Sequence, residues 1–369
     1  MKKILYVVNT LPNKPNSVGN ILREMISQIA ELREVQQVIA HEWGNLYGTS
    51  VAYTLEGYKT YVAKEYRRPV RLMMRVQRKF MGSNQIDNNI KQLKKILYKE
   101  NPDLVVFFLF SPELQYIKIC KERNISFLYV LYDTYIARPG LNVDEAYRLE
   151  KQVIDSSCGY FVPLFFSEDY FKVYNSDKII PYNLPLLIQK DDVYAAYQRQ
   201  TKDFEYTYFG QIQSFRNAQK IQEICVKLGI MIDVFASDEL VGTSDSAFRI
   251  HPALSGDDLY DVVAHSKFLV AFDNSAPYDR YLPSKVFLYV SFIKPVIAFG
   301  DNEESAMIDF FRNYPRFYYQ NINGDLNGLV EFIEKWQCSN YDEGLYNHYT
   351  RFLPENALTE FKETIARTI

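Results

Sequence analysis

The stretch Asp273–Gly300, DNSAPYDRYLPSKVFLYVSFIKPVIAFG, constrains the fold more than any other part of the chain. Ahead of it, Phe268–Phe272 is an unbroken apolar run, as expected of a strand buried on both faces. A loop containing Asn274, Ser275 and Pro277 follows. Pro283 then stands where a helix begins, its fixed φ suited to a first turn. Val286, Phe287, Tyr289, Val290 and Ile293 give that helix an apolar face, Lys294-Pro295 ends it, and Pro295–Gly300 reads as the next strand. Strand, polar loop, helix and strand make a βαβ unit. The loop falls at the carboxyl end of the sheet, where α/β proteins bind ligands and a helix N-terminus favours phosphate.

The same alternation runs through the chain and predicts an α/β protein with parallel sheets. Met1–Asn9 reads as a first buried strand, followed by a loop, Leu11–Asn20, and a helix whose apolar residues Ile21, Leu22, Met25, Ile26, Ile29 and Leu32 keep a helical period. No G-x-G-x-x-G stands there, so a dinucleotide fingerprint is absent. Further strands are expected at Asp103–Phe110, Ile125–Leu131, Gly159–Pro163 and Lys178–Leu187, with a helix over Pro112–Arg123. Residues 189–204 are polar and charged and read as a linker between a first domain, 1–188, and a second, 205–350. The second domain begins with the strand Glu205–Gly210 and the helix Ala218–Leu228. It continues through the strands Met231–Ala236 and Ala247–His251, a final strand near Phe317–Tyr319 and the helix Leu326–Trp336. Residues 351–369 end in a helix, Asn356–Ile369.

A length of 369 residues with 47% hydrophobic content suits two domains with ample cores. A formal net charge of -3 gives no reason to expect nucleic acid as a partner. Cys120, Cys158, Cys225 and Cys338 lie far apart in apolar surroundings, which predicts buried free thiols in a reducing compartment and no metal-ligand spacing. Lys2-Lys3 precedes only a strand-length apolar run, so no signal peptide is expected, and no run reaches membrane-span length; both point to the cytoplasm. One stretch departs from the acidic balance. Lys64–Phe80 carries Arg67, Arg68, Arg71, Arg75, Arg78 and Lys79 among Val70, Leu72, Met73, Met74, Val76 and Phe80. Such a segment suits an anionic membrane surface, or else forms a solvated face of the first domain.

Pro283-Ser284-Lys285-Val286-Phe287-Leu288-Tyr289 followed by Lys294-Pro295-Val296-Ile297-Ala298 resembles the donor-binding phrase of GT-B glycosyltransferases, in particular the retaining group similar to glycosyltransferase family 4. The resemblance implies two Rossmann-like domains facing a cleft, with the acceptor on the first and a nucleotide sugar on the second. It also implies that the C-terminal helix crosses back to the first domain. Two positions depart from the family pattern. Its ribose-holding acidic residue is Leu288 here, and Arg280 stands where many relatives carry another Glu.

Carried onto this chain, the resemblance places Gly210, Gln211 and Arg216 over the donor diphosphate, with Asn274, Ser284 and Lys285 completing the donor loop and His251-Pro252 at the base pocket. Gly19, Asn20 and Tyr132 fall on the acceptor side, Tyr132 replacing the usual His, and Asp133 is a cleft carboxylate. Simpler roles stay open: Gly19 as a turn, Asp133 as a turn cap, Arg216 as a surface ion pair and His251 as a structural histidine. A departing nucleoside diphosphate gains negative charge, which Arg216, Lys285 and the helix after Pro283 are suited to meet. Arg216, Lys285 and Asp133 are therefore the expected catalytic residues. No D-x-D occupies the family's metal position, so a metal-independent, hexosyltransferase-like enzyme with no cofactor is expected. Its expected partners are a nucleotide sugar and a saccharide or lipid-linked acceptor, in bacterial surface polysaccharide synthesis. The alternative is a non-catalytic GT-B-like subunit binding a glycan or a partner transferase. An epimerase on the same fold lacks a recognisable carboxylate and histidine set.

Overall fold

The computed structural model describes residues 1–12, 17–32, 35–41, 51–55, 58–62, 85–109, 114–133, 142–212, 216–236, 247–275, 282–337 and 340–369. The basic stretch 64–80, Arg280 and Cys338 lie outside the described residues. The chain divides into two compact units, Met1–Pro185 with Ala357–Ile369, and Leu186–Asn356.

The first unit holds an eight-stranded sheet in the order β3-β4-β2-β1-β5-β6-β7-β8. The strands are β1 Lys2–Val8, β2 Val35–His41, β3 Val51–Leu55, β4 Tyr58–Val62, β5 Leu104–Phe108, β6 Ser126–Val130, β7 Gly159–Pro163 and β8 Ile179–Tyr182. All pair in parallel except β3, which closes one edge as an antiparallel hairpin with β4. Leu104–Phe108 is buried at every residue, as a central parallel strand covered on both faces must be. Helix α1, Ser17–Ala30, begins earlier than the periodicity of its large residues predicts. Gly19 lies one turn before Leu22 on the buried face, so Gly19 and Asn20 belong to the helix and not to a loop. Helices α2 Gln85–Glu100, α3 Leu114–Glu122, α4 Val143–Ser156 and α5 Leu164–Tyr174 follow. Glu150 of α4 is fully buried and accepts hydrogen bonds from the hydroxyls of Tyr160, Tyr170 and Tyr174. Burial nonetheless pushes its carboxyl up to about 7. The final helix packs into this unit, with Phe361 edge-on to Phe161 at 5.3 Å. It is broken at Leu358, into Pro354–Ala357 and Thr359–Thr368.

Within the second unit, helix α6, Lys190–Gln198, occupies most of the stretch read as a linker. Val193 and Ala196 are its buried residues, and so small a stripe hides the helix among charged neighbours. The sheet contains β9 Phe204–Phe209, β10 Ile232–Ala236, β11 Phe248–Pro252, β12 Ser266–Phe272, β13 Val296–Gly300 and β14 Phe317–Asn321. Its order, β11-β10-β9-β12-β13-β14, is entirely parallel. Helices α7 Ala218–Leu228, α8 Asp257–Ala264, α9 Lys285–Ser291, α10 Ala306–Phe311, α11 Asn327–Trp336 and α12 Glu343–His348 connect or flank the strands. Cys120 and Cys225 are buried free thiols, but Cys158, expected to be buried, is exposed in the bend just before β7, outside the buried strand that follows it. Among the described residues no helix is long and apolar enough to cross a membrane.

Candidate functional site

The strand order of the second unit reverses between β9 and β12, so the chain leaves their carboxyl ends in opposite directions and opens a crevice there. Gly210–Ile212 follows β9 and the Asp273–Ser275 loop follows β12. Gly210 has φ +100°, a conformation that side chains rarely adopt, and its N–H donates to the Phe235 carbonyl at 2.8 Å. This turn takes the chain off β9 towards Arg216.

Arg216 joins the two loops. Its Nη1 donates to the Tyr208 hydroxyl and to the Gln211 carbonyl, each at 2.8 Å, and its Nε donates to Asn274 Oδ1 at 3.0 Å. Asn274 is buried, and its backbone N–H donates to Asp273 Oδ1 at 2.9 Å. Asp273 also accepts from the Tyr319 hydroxyl at 3.0 Å, and burial pushes its carboxyl up to about 6. A Cβ at Gly300 would fall 2.1 Å from that hydroxyl, so the Tyr319–Asp273 contact requires glycine on β13.

Lys285 opens α9. Pro283 and Ser284 form the preceding turn, with Val286 N–H bonded to the Pro283 carbonyl at 3.1 Å and Phe287 N–H to Ser284 at 3.2 Å. The Ser284 side chain makes no cap hydrogen bond. Val286, Phe287, Tyr289 and Val290 are buried and fix the helix, and the Tyr289 hydroxyl donates to the Val270 carbonyl at 2.8 Å. Lys285 is half-buried as a residue, yet its Nζ is enclosed, with no hydrogen-bond partner among the described residues. It lies 3.6 Å from the centre of the Tyr208 ring. Burial, and next the Arg216 charge, hold its ammonium well below the ordinary lysine value. Two cationic side chains thus meet at the sheet's switch point, and among the described residues no anion pairs with Lys285.

Gly210, Gln211, Arg216, Asn274 and Lys285 come together in this way. His251 and Pro252 end the edge strand β11. His251 Nε2 is 2.6 Å from Asp233 Oδ1, and its ring stacks on Phe235 at 4.6 Å. The imidazole is therefore satisfied within the sheet, and its link to the loop runs through Phe235, whose carbonyl holds Gly210. Pro252 is exposed.

The first unit has its own switch point between β1 and β5. Asn9, just past β1, donates from Nδ2 to the Tyr132 hydroxyl at 2.9 Å. The Tyr132 ring lies 5.1 Å from that of Phe108 at the end of β5. Tyr132 thereby spans the carboxyl ends of the central strands, and half-buried Asp133 follows it. Gly19 and Asn20 lie in the first turn of α1.

Tyr208 was not singled out from the sequence. In EYTYFG it reads as one more strand aromatic, and only its contacts set it apart from Tyr206. Asp273 and Tyr319 were hidden similarly, the one just past the apolar strand β12 and the other among the aromatic residues of β14.

No family model and no curated protein sequence matches this chain. Solved structures do match over the whole length. Sucrose-phosphate synthase from Thermosynechococcus elongatus is 10% identical, with 100% of this chain and 95% of that one covered at a TM-score of 0.62. UDP-GlcNAc 2-epimerase from Methanocaldococcus jannaschii is 11% identical, with 99% of each chain covered at 0.60. HepE from Anabaena, solved in complex with UDP, is 10% identical, with 100% of this chain and 99% of that one covered at 0.58. The fold is GT-B. At these identities the likeness shows the fold alone. GT-B architecture carries both a synthase and an epimerase in this short set, so the activity has to be argued from the side chains.

Proposed function

We propose that the protein is a glycosyltransferase that moves a sugar from a nucleoside-diphosphate sugar to a saccharide or lipid-linked saccharide acceptor. The observation that carries this reading is the Arg216–Lys285 pair at the switch point of the second unit, with the Lys285 Nζ enclosed and without a hydrogen-bond partner among the described residues. A diphosphate fits that gap. Breaking the bond between the sugar and the β-phosphate oxygen leaves an electron pair, and so a growing negative charge, on that oxygen. Cations already in place stabilise that charge without reorganising. The guanidinium offers a fork of donors matched to phosphate oxygens, and the ammonium a movable point charge.

On this reading Arg216 and Lys285 replace a metal ion, and Gln211, Asn274 and Ser284 complete the donor loop. His251 and Pro252 border the base. In the first unit Tyr132 and Asp133 serve the acceptor, as do Gly19 and Asn20 at the start of α1. Retention of anomeric configuration and a role in bacterial surface polysaccharide synthesis are part of the proposal. So is recruitment of the enzyme to the inner face of the membrane by the basic stretch 64–80.

Leu288, standing where the family resemblance calls for an acidic residue, favours one other reading: a subunit that binds a nucleotide or glycan without turnover. Incubation with a panel of UDP-, GDP- and ADP-sugars, followed for nucleotide release with and without saccharide acceptors, separates the two. Acceptor-dependent release of nucleotide supports transfer. Tight binding without release supports the non-catalytic reading, and the appearance of a stereoisomeric nucleotide sugar would identify an epimerase.

A further inference from the structure

We propose that Tyr208 is the positioning residue of this site, its ring seating the Lys285 ammonium and its hydroxyl fixing the Arg216 guanidinium so that both cations stand ready for a diphosphate. The inference rests on the nucleotide-sugar reading above and concerns a residue outside the donor loops. Tyr208 is fully buried on β9, with its ring stacked on Phe272 at 4.3 Å, and it is therefore a rigid platform. Its hydroxyl donates to the Gln211 carbonyl at 2.8 Å and accepts from Arg216 Nη1 at 2.8 Å. Its face receives Lys285 Nζ at 3.6 Å. One side chain thus handles two like charges by two mechanisms, a hydrogen bond at the edge and the ring quadrupole at the face.

The two cations are held differently. Arg216 is tied by hydrogen bonds to Tyr208, Gln211 and Asn274 and forms the fixed member. Lys285 Nζ has no hydrogen-bond partner among the described residues and rests on the ring, and its four-carbon stem lets the ammonium leave that seat when phosphate oxygens arrive. Without the ring, the ammonium would sit enclosed beside a guanidinium with no compensation. Without the hydroxyl, Arg216 would lose the bond that orients its fork.

Double-mutant cycles test this, using isothermal titration with UDP, ADP, GDP and inorganic pyrophosphate. Tyr208→Phe keeps the ring and its stacking on Phe272, so the variant should keep its melting temperature. Its diphosphate affinity should fall about 10-fold, the effect of one hydrogen bond to a charged group. In an Arg216→Ala background the same substitution should change affinity by less than about two-fold, because its partner is gone. Tyr208→Leu should weaken binding beyond Tyr208→Phe, and that extra loss should vanish in a Lys285→Met background. Tyr208→Phe binding like the wild type, or equal losses with and without Arg216, overturns the positioning role while leaving the donor site standing. A wild-type protein that binds none of the four probes overturns the donor-site reading itself.

Discussion

Replacing Lys285 with methionine should make the unliganded protein more stable while weakening its affinity for diphosphate. The Nζ is enclosed with no hydrogen-bond partner among the described residues, and a buried polar group in that state costs about 1–3 kcal/mol, more when charged. Contact with the Tyr208 face offsets part of this, by up to about 2 kcal/mol for a desolvated cation. Methionine keeps the length of the stem and replaces the cation–ring contact with a sulfur–ring contact. The net gain should be roughly 1–2 kcal/mol at neutral pH, which for a unit of this size raises Tm by on the order of 4 °C. The pH dependence gives the sharper test. The ammonium is lowered from 10.5 on folding, so the unfolded chain holds the proton more tightly. The wild-type penalty is therefore complete below the folded value and shrinks as pH climbs towards 10.5. Calorimetric melts of both proteins without ligand, at pH about 6 and about 10, should show a clear advantage for the variant at the lower pH and little at the higher. In the same instrument, a nucleoside diphosphate should raise the wild-type Tm by more than it raises that of the variant. A variant less stable than wild type at neutral pH, or a difference independent of pH, would refute the reasoning.

Glu150 gives a second stability test in the first unit: its carboxyl rises from 4.5 to about 7 on burial, so the folded state binds the proton more tightly. Stability should fall by roughly 3 kcal/mol as pH rises from about 4.5 to about 7, and urea titrations of Glu150→Gln should lack that fall. Donor turnover should persist in excess chelator, because Arg216 and Lys285 supply the positive charge; complete loss reversed by Mg²⁺ or Mn²⁺ would contradict the proposed site. Co-sedimentation with anionic vesicles should weaken as salt shortens the Debye length from ~10 Å at 0.1 M to ~3 Å at 1 M. Replacing Arg67, Arg71, Arg75 and Arg78 with Gln should abolish it, whereas equal, negligible binding to anionic and neutral vesicles would remove the membrane role.

The fold was legible wherever a strand is buried on both faces. Gly159–Pro163 and the helix Ala218–Leu228 were read with their observed limits, because an uninterrupted apolar run and a clear 3.6-residue period leave little choice. Legibility failed at the rims. Strands β2 and β4 mix apolar with polar residues, as in VQQVIAH and YKTYV, because buried Gln37 and Thr60 interrupt the apolar pattern. Helix α6 buries little, so its charged residues dominate its appearance in the sequence. The donor loop was legible in Pro283–Lys285, Arg216 and Asn274, which carry polar or φ-restricted residues where the apolar pattern breaks. What the sequence did not reveal is how these residues are held. Tyr208, Asp273 and Tyr319 lie in or beside apolar strands, where their hydroxyl or carboxyl is indistinguishable from an ordinary core position. Their roles depend on strand order, which brings the ends of β9 and β12 side by side.

The most direct test of the central claim is a crystal structure of the protein with whichever of UDP, ADP and GDP binds most tightly. The account predicts β-phosphate oxygens within about 3 Å of Lys285 Nζ and of the Arg216 guanidinium, with the Lys285 ammonium drawn off the Tyr208 ring. A nucleotide bound elsewhere in the second unit, with Lys285 still seated on Tyr208, would contradict it.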